Sequence, residues 1–339
     1  MDVFELTRAL VNVESITLNE EAVGLALCEF LAPLVSAYGG KLERLEVEPR
    51  RFNVFAHWGH RLTVTLSTHL DTVPPFFASR EDETHIWGRG ACDTKGIIAA
   101  MIKAAEALLA AGHSNFGLLF VVGEERNSAG AYRAAEMPRG SRYIINGEPT
   151  GNKLALASKG VLRYEVVASG KMAHSAYPEL GDSAIDKLLD ALQAIRRIPL
   201  PVDPLLGPST LNIGTLGGGH APNVIADQAR ADIMFRLVGD SAPTKAALAE
   251  ATAGRVELRE VIEIPAVHLG ALDGLETTVV AFTTDIPAFG GNWGEPFLIG
   301  PGSIHVAHTL EERVPKKELL EAVQIYQRMV KELCKRESK

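Results

Sequence analysis

The sequence has few cysteines and no long apolar run, and each of these absences excludes a class of protein. Its three cysteines, Cys28, Cys92 and Cys334, are odd in number and form no CxxC pair. This argues against a disulfide framework and for a reducing compartment. No apolar run approaches the ~20 residues needed to cross a bilayer, so we expect no membrane partner.

Clustered positive charge is also missing. The net charge is -8, and no run of Lys and Arg forms a basic stripe, so we expect no nucleic-acid partner. The opening segment MDVFELTRALVNVES predicts an amphipathic, acid-bearing helix rather than a signal peptide. We therefore expect a cytoplasmic protein. With 339 residues, 46% of them hydrophobic, the chain has ample length for a large core and suggests about two domains.

Metal-capable side chains follow several strongly apolar segments. The stretch LTVTLST at 62–68 is apolar and β-branched on both faces, which is typical of an inner strand. GLLFVVGEE at 117–125 and RYIINGEPT at 142–150 repeat the arrangement. GRGACDTKG at 88–96 places an acid just before a long helical pattern. The side chains concerned are His69, Asp71, Asp93, Glu124, Glu125 and Glu148.

Each of these residues has an ordinary explanation when it is taken alone. His69 could be a polar strand terminus, Asp93 a helix N-cap, Glu148 a helix start, and His308 a surface residue. In open α/β sheets, however, ligands bind beyond the carboxyl ends of the strands. One shared site at that edge accounts for all of these residues together, so we favour it.

The residues also form a chemically complete set for two metal ions. Two divalent ions ~3.5–4 Å apart can assist a hydrolysis, and they need a bridging carboxylate. We predict that Asp93 bridges, that His69 and Glu148 complete one site, and that Glu125 and His308 complete the other. Mixed histidine and carboxylate ligands suit zinc.

Two acids are left over, and each has a predicted role. Asp71 lies two residues after His69, on the same face of an extended chain, where its carboxylate can hold the imidazole of a metal-bound histidine. Glu124 is free to take a proton from the attacking water and deliver it to the leaving amine.

The order of the elements predicts the fold. The first part and the end of the chain predict an α/β domain of three layers with a mixed, largely parallel sheet. From about 157 the pattern becomes β-α-β-β-α-β with alternating strands, which is typical of a ferredoxin-like α+β domain. We therefore predict a catalytic, metal-binding domain at 1–156 and 265–339, with an inserted lid and dimerisation domain at 157–264.

A resemblance now becomes visible in the motifs STHLDTVP, GRGACDTKG, GEERNSAGA, GEPT, GKMAHSAYPELGDSAI, GGGHAPNVIADQARADIMFR and GPGSIHVAHTLEE. They run from about residue 67 to 312. The chain resembles the dinuclear zinc amidohydrolases and exopeptidases, which include acetylornithine deacetylase, succinyl-diaminopimelate desuccinylase, aminoacylases and glutamate carboxypeptidases.

The resemblance implies the roles given above for the metal ligands, for Glu124 as general base and acid, and for Asp71 as the support of His69. It also implies two Zn²⁺ per chain, with Co²⁺ as a substitute, and a cis peptide bond after Asp93. His305 rivals His308 as the last ligand. The lid is expected to form a homodimer and to supply His174 as the oxyanion donor, from its own chain or its partner. Asn223, Arg236 and Gly302 are expected to contact the substrate.

The implied activity is hydrolysis of the amide bond of an N-acyl amino acid or short peptide. The segments TDIPAF and GPGSIHVAHT look most like those of acetylornithine deacetylase, so the resemblance favours N-acetylornithine deacetylation in arginine biosynthesis. Alternatives are a succinyl-diaminopimelate desuccinylase, an N-acyl-lysine deacylase of lysine biosynthesis, an N-acetylcitrulline deacetylase and a dipeptidase. A metal-free binding protein with the same fold is the alternative from a different class, and it would lack metal ligands.

Overall fold

The computed structural model describes residues 1–336 and divides into two compact units. The first unit comprises Met1–Leu156, Leu269–Thr278 and the chain from Thr284 onward. The second comprises Ala157–His268 and Val279–Thr283. None of the helices in the described part of the chain is long and apolar enough to cross a membrane.

The helices follow the amphipathic and apolar segments of the sequence. The first one begins at a capping box, in which Asp2 accepts from the backbone N–H groups of Phe4 and Glu5 while Glu5 accepts from Asp2 N–H. The helices are α1 (Val3–Val11), α2 (Glu21–Ala37), α3 (Gly96–Ala110), α4 (Ala129–Ala135), α5 (Ala184–Ile195), α6 (Ala242–Thr252) and α7 (Lys316–Arg336).

The strands occupy the β-branched and alternating segments between the helices. They are β1 (Lys41–Glu48), β2 (Arg51–Trp58), β3 (Val64–His69), β4 (Arg80–Glu81), β5 (His85–Trp87), β6 (Phe116–Val121), β7 (Tyr143–Asn146), β8 (Leu154–Ser158), β9 (Gly160–Ser169), β10 (Val202–Asp203), β11 (Gly207–Pro208), β12 (Thr210–Gly218), β13 (Gln228–Leu237), β14 (Glu257–Ile264), β15 (Val267–His268), β16 (Thr277–Val280), β17 (Glu295–Leu298) and β18 (Arg313–Pro315).

The main sheet of the first unit has a parallel centre. Its order is β1-β2-β6-β3-β7-β17-β8. The four strands β6, β3, β7 and β17 run parallel, whereas the pairs β1–β2, β2–β6 and β17–β8 are antiparallel. β3 and β6 are buried along their whole length, as expected of strands covered on both faces.

Alternate residues of the central strands pack into two cores, which makes this unit three-layered. Leu118 and Phe120 of β6 belong to a large core with α1, α2, α3 and α7, whereas Leu119 and Val121 belong to a smaller core with α4. Successive side chains of a strand point to opposite faces, so one strand serves both cores. The predicted α/β architecture with a mixed sheet is confirmed.

The second unit is a four-stranded antiparallel sheet with helices on one face. The spatial order is β12-β13-β9-β14, which is that of a ferredoxin-like fold. Alternate residues of β9 and β13 form its core together with Leu188 and Leu192 of α5. The unit extends beyond the predicted span of 157–264, because Val267 pairs with Ser158 and the Val280 carbonyl accepts from Lys159 N–H.

Candidate metal centre

The parallel strands of the first unit end at one edge of the sheet, and the predicted site residues lie just beyond them. His69 ends β3 and pairs with Val121 at the end of β6. Asn146 at the end of β7 pairs with Ser67 of β3 and with Leu298 of β17. The chain segments that follow carry Glu124, Glu125, Glu148 and His308.

Asp93 reaches the same edge from a tight turn, Ala91–Lys95, that opens into α3. Gly90 before the turn has a left-handed backbone with φ 85°, which glycine adopts at little cost. The Thr94 hydroxyl donates to the His69 carbonyl over 2.7 Å and ties the turn to β3. The Asp93–Thr94 peptide bond is cis, as the family resemblance implies.

One group of potential ligands consists of His69, Asp93 and Glu148, whose donor atoms lie within 4.8 Å of one another. The His69 Nε2 atom is 2.9 Å from Asp93 Oδ1. Glu148 is 4% exposed, and its Oε1 atom has no hydrogen-bond partner. A buried carboxylate oxygen without a partner is costly unless something binds it, so this group fits a cation.

A second group consists of Asp93, Glu125 and His308, again within 4.8 Å. His308 Nε2 lies 3.3 Å from Asp93 Oδ2 and 2.9 Å from Glu125 Oε2. The side chain of His308 is half exposed, and its backbone is left-handed with φ 63°. Asp93 therefore belongs to both groups, with a different oxygen facing each histidine.

The structure also separates the two candidates for the last ligand. His305 is exposed, and its backbone N–H donates to the Ser303 hydroxyl. Neither group of potential ligands found among residues 1–336 includes it. The geometry thus favours His308, which sits against two acids.

The Asp71 carboxylate lies close to the His69 imidazole and also holds a loop, so its support of His69 stays a prediction. The backbone carbonyl of Asp71 lies 2.9 Å from His69 Nδ1, and the carboxylate Oδ1 lies 3.6 Å from the same atom. The carboxylate accepts from the N–H groups of Gly123, Glu124 and Glu125 at 3.0–3.2 Å and from the Thr17 hydroxyl at 2.8 Å. Charge-assisted bonds of this kind hold a loop firmly.

The electrostatics of the site reflect many buried acids and few cations. Burial raises the pKa of Glu124 and of Glu148 well above the usual range, although His69 opposes the shift. Hydrogen bonds to Asp93 and Glu125 raise the pKa of His308 to about 10. For Asp93, burial is outweighed by the bonds from His308 and His69, and its pKa falls. The acids of the site carry more negative charge than the imidazoles of His69 and His308 can balance. Such a site is a suitable environment for divalent cations.

The structure adds residues that the sequence reasoning did not single out. Glu312 is fully buried in an ion pair with Arg89, and its Oε1 accepts from Asp93 N–H at 3.3 Å. Asp285 is a second buried acid, 1% exposed. Asp285 lies in TDIPAF, where an acid among apolar neighbours was the available signal. Glu312 stands between two charged residues at the end of the motif GPGSIHVAHTLEE, and no such signal marks it.

Gly302 lies in the loop that leads from β17 toward His308. Its backbone is left-handed with φ 91°, and a Cβ atom there would lie 2.6 Å from Cys92 Cβ. Its N–H donates to Glu318 Oε2 over 2.7 Å. Glycine is therefore required at this position by both conformation and space.

The remaining predicted residues belong to the second unit. His174 and Asn223 are exposed and lie on paired loops, since Ser175 N–H donates to the Asn223 carbonyl over 3.0 Å. Arg236 on β13 is half-buried, and burial lowers the pKa of its guanidinium.

Comparison with known proteins identifies relatives over almost the whole chain. The model of peptidase family M20/M25/M40 matches residues 65–332. A peptidase M20 domain-containing protein of Schizosaccharomyces pombe is 37% identical, over 97% of this chain and 84% of its own length. A probable carboxypeptidase of Aspergillus flavus is 36% identical, over 97% of this chain and 87% of its own length.

Solved structures share the fold at lower sequence identity. Aminopeptidase PepT from Bacillus cereus superimposes with a TM-score of 0.78 at 20% identity, over 98% of both chains. An M20 family metallo-carboxypeptidase from Sulfolobus solfataricus gives 0.76 at 17% identity, over 96% of this chain and 98% of its own.

Proposed function

The chain belongs to peptidase family M20/M25/M40, and from this premise we propose that it is a metal-dependent hydrolase of the amide bond in a short peptide or N-acyl amino acid. The shared position of Asp93 carries the proposal. Its Oδ1 faces His69 and its Oδ2 faces His308. A carboxylate divided in this way suits two ions side by side, the arrangement that assists hydrolysis in many enzymes.

The proposed metals are two Zn²⁺ per chain, with Co²⁺ able to substitute. His69 and Glu148 would hold one ion, Glu125 and His308 the other, and Asp93 both. The partnerless Glu148 Oε1 and the mixed nitrogen and oxygen donors support this assignment. When bound, such ions polarise the scissile carbonyl and make water a better nucleophile at neutral pH.

Glu124 is the proposed general base and acid. It belongs to neither ligand group, and its raised pKa, caused first by burial, suits a carboxylate that must accept a proton and release it again. The proton from the attacking water would move to the Glu124 carboxylate and from there to the leaving amine. Asp71 would hold the backbone of this loop in place.

The second unit is proposed to act as the lid and dimerisation domain, with His174 as oxyanion donor and Asn223 and Arg236 as substrate contacts. A guanidinium suits a carboxylate of the substrate. Gly302 in the first unit would contact the substrate through its backbone. These roles rest on the motif resemblance, as does the expected homodimer.

The substrate class is proposed to be short peptides or N-acyl amino acids rather than one named metabolite. The relatives found by sequence are a peptidase-domain protein and probable carboxypeptidases, which favours peptides. N-acetylornithine deacetylation stays a prediction that rests on the TDIPAF and GPGSIHVAHT motifs. A metal-free binding protein would have to lack ligands, whereas both predicted ligand groups are complete.

The proposal is tested by a turnover screen of the zinc- or cobalt-loaded protein. The panel comprises dipeptides, tripeptides, N-acetylornithine, N-acetylcitrulline, N-acetyllysine and N-succinyl-diaminopimelate. We expect hydrolysis of at least one compound, loss of that activity with a chelator, and recovery when metal is restored. Absence of any turnover in protein shown to contain about two ions per chain would contradict the proposal.

A further inference from the structure

Asp285 is a buried carboxylate beside the metal centre that has no partner. The residue is 1% exposed, and neither carboxylate oxygen has a hydrogen-bond partner. Ser128 is close enough to lower the pKa of this group, yet its hydroxyl makes no hydrogen bond of normal geometry with either oxygen. Burial of an unpaired carboxylate is costly, so its position needs an explanation.

Local structure does not supply that explanation. Asp285 precedes the 3₁₀ turn Ile286–Phe289, where an acid could act as an N-cap. However, its backbone is helical, its side chain accepts no N–H of the turn, and Ile286 N–H is already bonded to the Thr284 hydroxyl. The backbone carbonyl of Asp285, not the carboxylate, accepts from Ala288 and Phe289. The side chain therefore has no role in shaping the turn.

The turn that follows Asp285 packs against α4, which comes directly after the catalytic loop, Gly123–Ser128. Phe289 and Trp293 pack with Ala131 and Ala134 of α4, the helix that follows the Glu124–Glu125 loop directly. The Trp293 indole N–H donates to the Ala134 carbonyl over 2.9 Å. The anchored segment and α4 thus share one core.

The charge of Asp285 acts on the site itself. It adds to the pKa rise of both Glu124 and Glu148, so it lies within electrostatic reach of the proposed base and of a proposed ligand. Burial raises the pKa of Asp285 itself to about 7, and His69 is the one cationic group among the main causes of that shift.

The balance of charge leaves room for a cation from the substrate. Two divalent ions bring four positive charges. The site has more carboxylates than this, so when all of them are ionised their negative charge exceeds the positive charge of the two ions. The carboxylates are Asp71, Asp93, Glu124, Glu125, Glu148 and Asp285. Asp285 belongs to neither ligand group. A substrate ammonium would supply both the missing charge and hydrogen-bond donors for its two oxygens.

We propose that the Asp285 carboxylate binds an ammonium group of the substrate. This inference rests on the proposed hydrolase function and narrows its substrate class. Two sources of the ammonium share this chemistry: the free α-amino group of a short peptide, and the side-chain amino group of an N-acyl diamino acid such as N-acetylornithine. The two sources place the cation on opposite sides of the scissile amide, so substrates can separate them.

Two pairs of compounds test the proposal, each differing only by one amino group. Glycyl-leucine is compared with N-acetyl-leucine, and N-acetylornithine with N-acetylnorvaline. kcat/KM is measured in the metal-loaded enzyme, and binding is measured by calorimetry in a Glu124→Ala background. We expect the protein to prefer the ammonium-bearing member of one pair by at least about tenfold, since a charge-assisted bond to a buried group is lost without it. That pair identifies the source.

The Asp285→Asn variant should reduce this preference to near one, in binding as well as in kcat/KM. Asp285→Ala should do the same, and exposed Asp273→Asn serves as the matched control that keeps the preference. Because Asn removes an unpaired buried charge, the variant should melt no lower than the parent protein. A purely structural role would instead lower the melting temperature and leave the substrate ratio unchanged.

The possible results separate this inference from the proposed function. An unchanged preference in Asp285→Asn, or no preference within either pair, overturns the role of Asp285 and leaves the proposed hydrolysis standing. Absence of turnover for all four compounds counts against the proposed function, and the binding measurement still decides the role of Asp285.

Discussion

Glu124 and Glu125 are neighbours in the chain, yet their side chains have different surroundings. Glu125 Oε2 lies 2.9 Å from His308 Nε2 within a ligand group, whereas Glu124 belongs to neither group. The Glu124 backbone is held by the Asp71 carboxylate, so its carboxyl is positioned without being used as a ligand. A positioned, unpaired acid of raised pKa is what general acid–base catalysis needs.

Replacement of Glu124 by Ala should abolish turnover without loss of metal. We expect kcat to fall by several orders of magnitude, because the variant lacks the group that moves the proton, while elemental analysis still finds about two ions per chain. Glu29→Ala, at an exposed position of α2, is the matched control and should behave as the parent protein. Near-normal turnover in Glu124→Ala would remove the proposed mechanism.

Asp71→Asn tests the position of the catalytic loop. The Asn side chain has one amide NH₂ group in place of a carboxylate oxygen, and this group cannot accept hydrogen bonds from the loop. Backbone N–H groups that now donate to the carboxylate would lose their acceptor, at a cost of about 1–3 kcal/mol. We expect kcat to fall about 10- to 100-fold through misplacement of Glu124, with metal content nearly unchanged. Thr17→Val removes only the hydroxyl donor at 2.8 Å and should have a smaller effect. Equal effects of the two variants would argue against this role.

At the scale of elements, parallel strands explain why residues far apart in sequence meet. β6, β3, β7 and β17 present their carboxyl ends at one edge, and three of the loops that follow supply Glu125, Glu148 and His308. The turn before α3 supplies Asp93. The positions of the proposed ligands therefore depend on turns whose backbone conformations only certain residues, such as glycine, adopt easily.

Gly302→Ala should show this dependence. A Cβ atom at φ 91° meets Cys92, so the loop that carries His308 must shift, and we expect weaker zinc binding together with a loss of about 1–3 kcal/mol of stability. Gly112→Ala is a matched control, because its φ is 80° but nothing lies within 4 Å of the added Cβ. Equal metal affinity in the two variants would contradict a positional role for Gly302.

At the scale of the whole molecule, the titration of the site is linked to metal binding. The metal-free protein holds protons where ions are proposed to bind, since the pKa of His308 is raised to about 10 and that of Glu148 is also raised. A ligand imidazole must be neutral and a ligand carboxylate ionised, so an ion displaces these protons. Metal affinity should thus increase as the pH rises.

We expect zinc affinity to increase about tenfold per pH unit for each proton displaced, with the contribution of His308 ending near pH 10. Calorimetry between pH 6 and 8, in buffers of different ionisation enthalpy, counts the protons released. His308→Asn should release fewer protons and lose one ion per chain. Heats that do not depend on the buffer would contradict the linkage.

The framework of the site can be predicted from the amino-acid pattern alone. A run of apolar residues in the sequence predicts a strand that is buried on both faces. The acid or histidine that follows each such run can be read directly from the sequence. Because parallel strands must share an edge, His69, Glu125 and Glu148 could be expected to meet before any coordinates were known. The alternating strands after 157 likewise indicated the second fold.

The hydrogen-bond partner of each carboxylate became known from the folded chain and not from the sequence. The sequence placed the Asp71 carboxylate beside the His69 imidazole, but it did not indicate that this carboxylate also binds the Gly123–Glu125 backbone and Thr17. Asp285 stands among apolar neighbours in TDIPAF, but nothing in the sequence shows that its carboxylate lacks a hydrogen-bond partner. Hydrogen-bond partners and desolvation depend on the distances between segments that are remote in the chain. The periodicity of apolar residues in the sequence indicates only local geometry and burial, so these distances cannot be predicted from it.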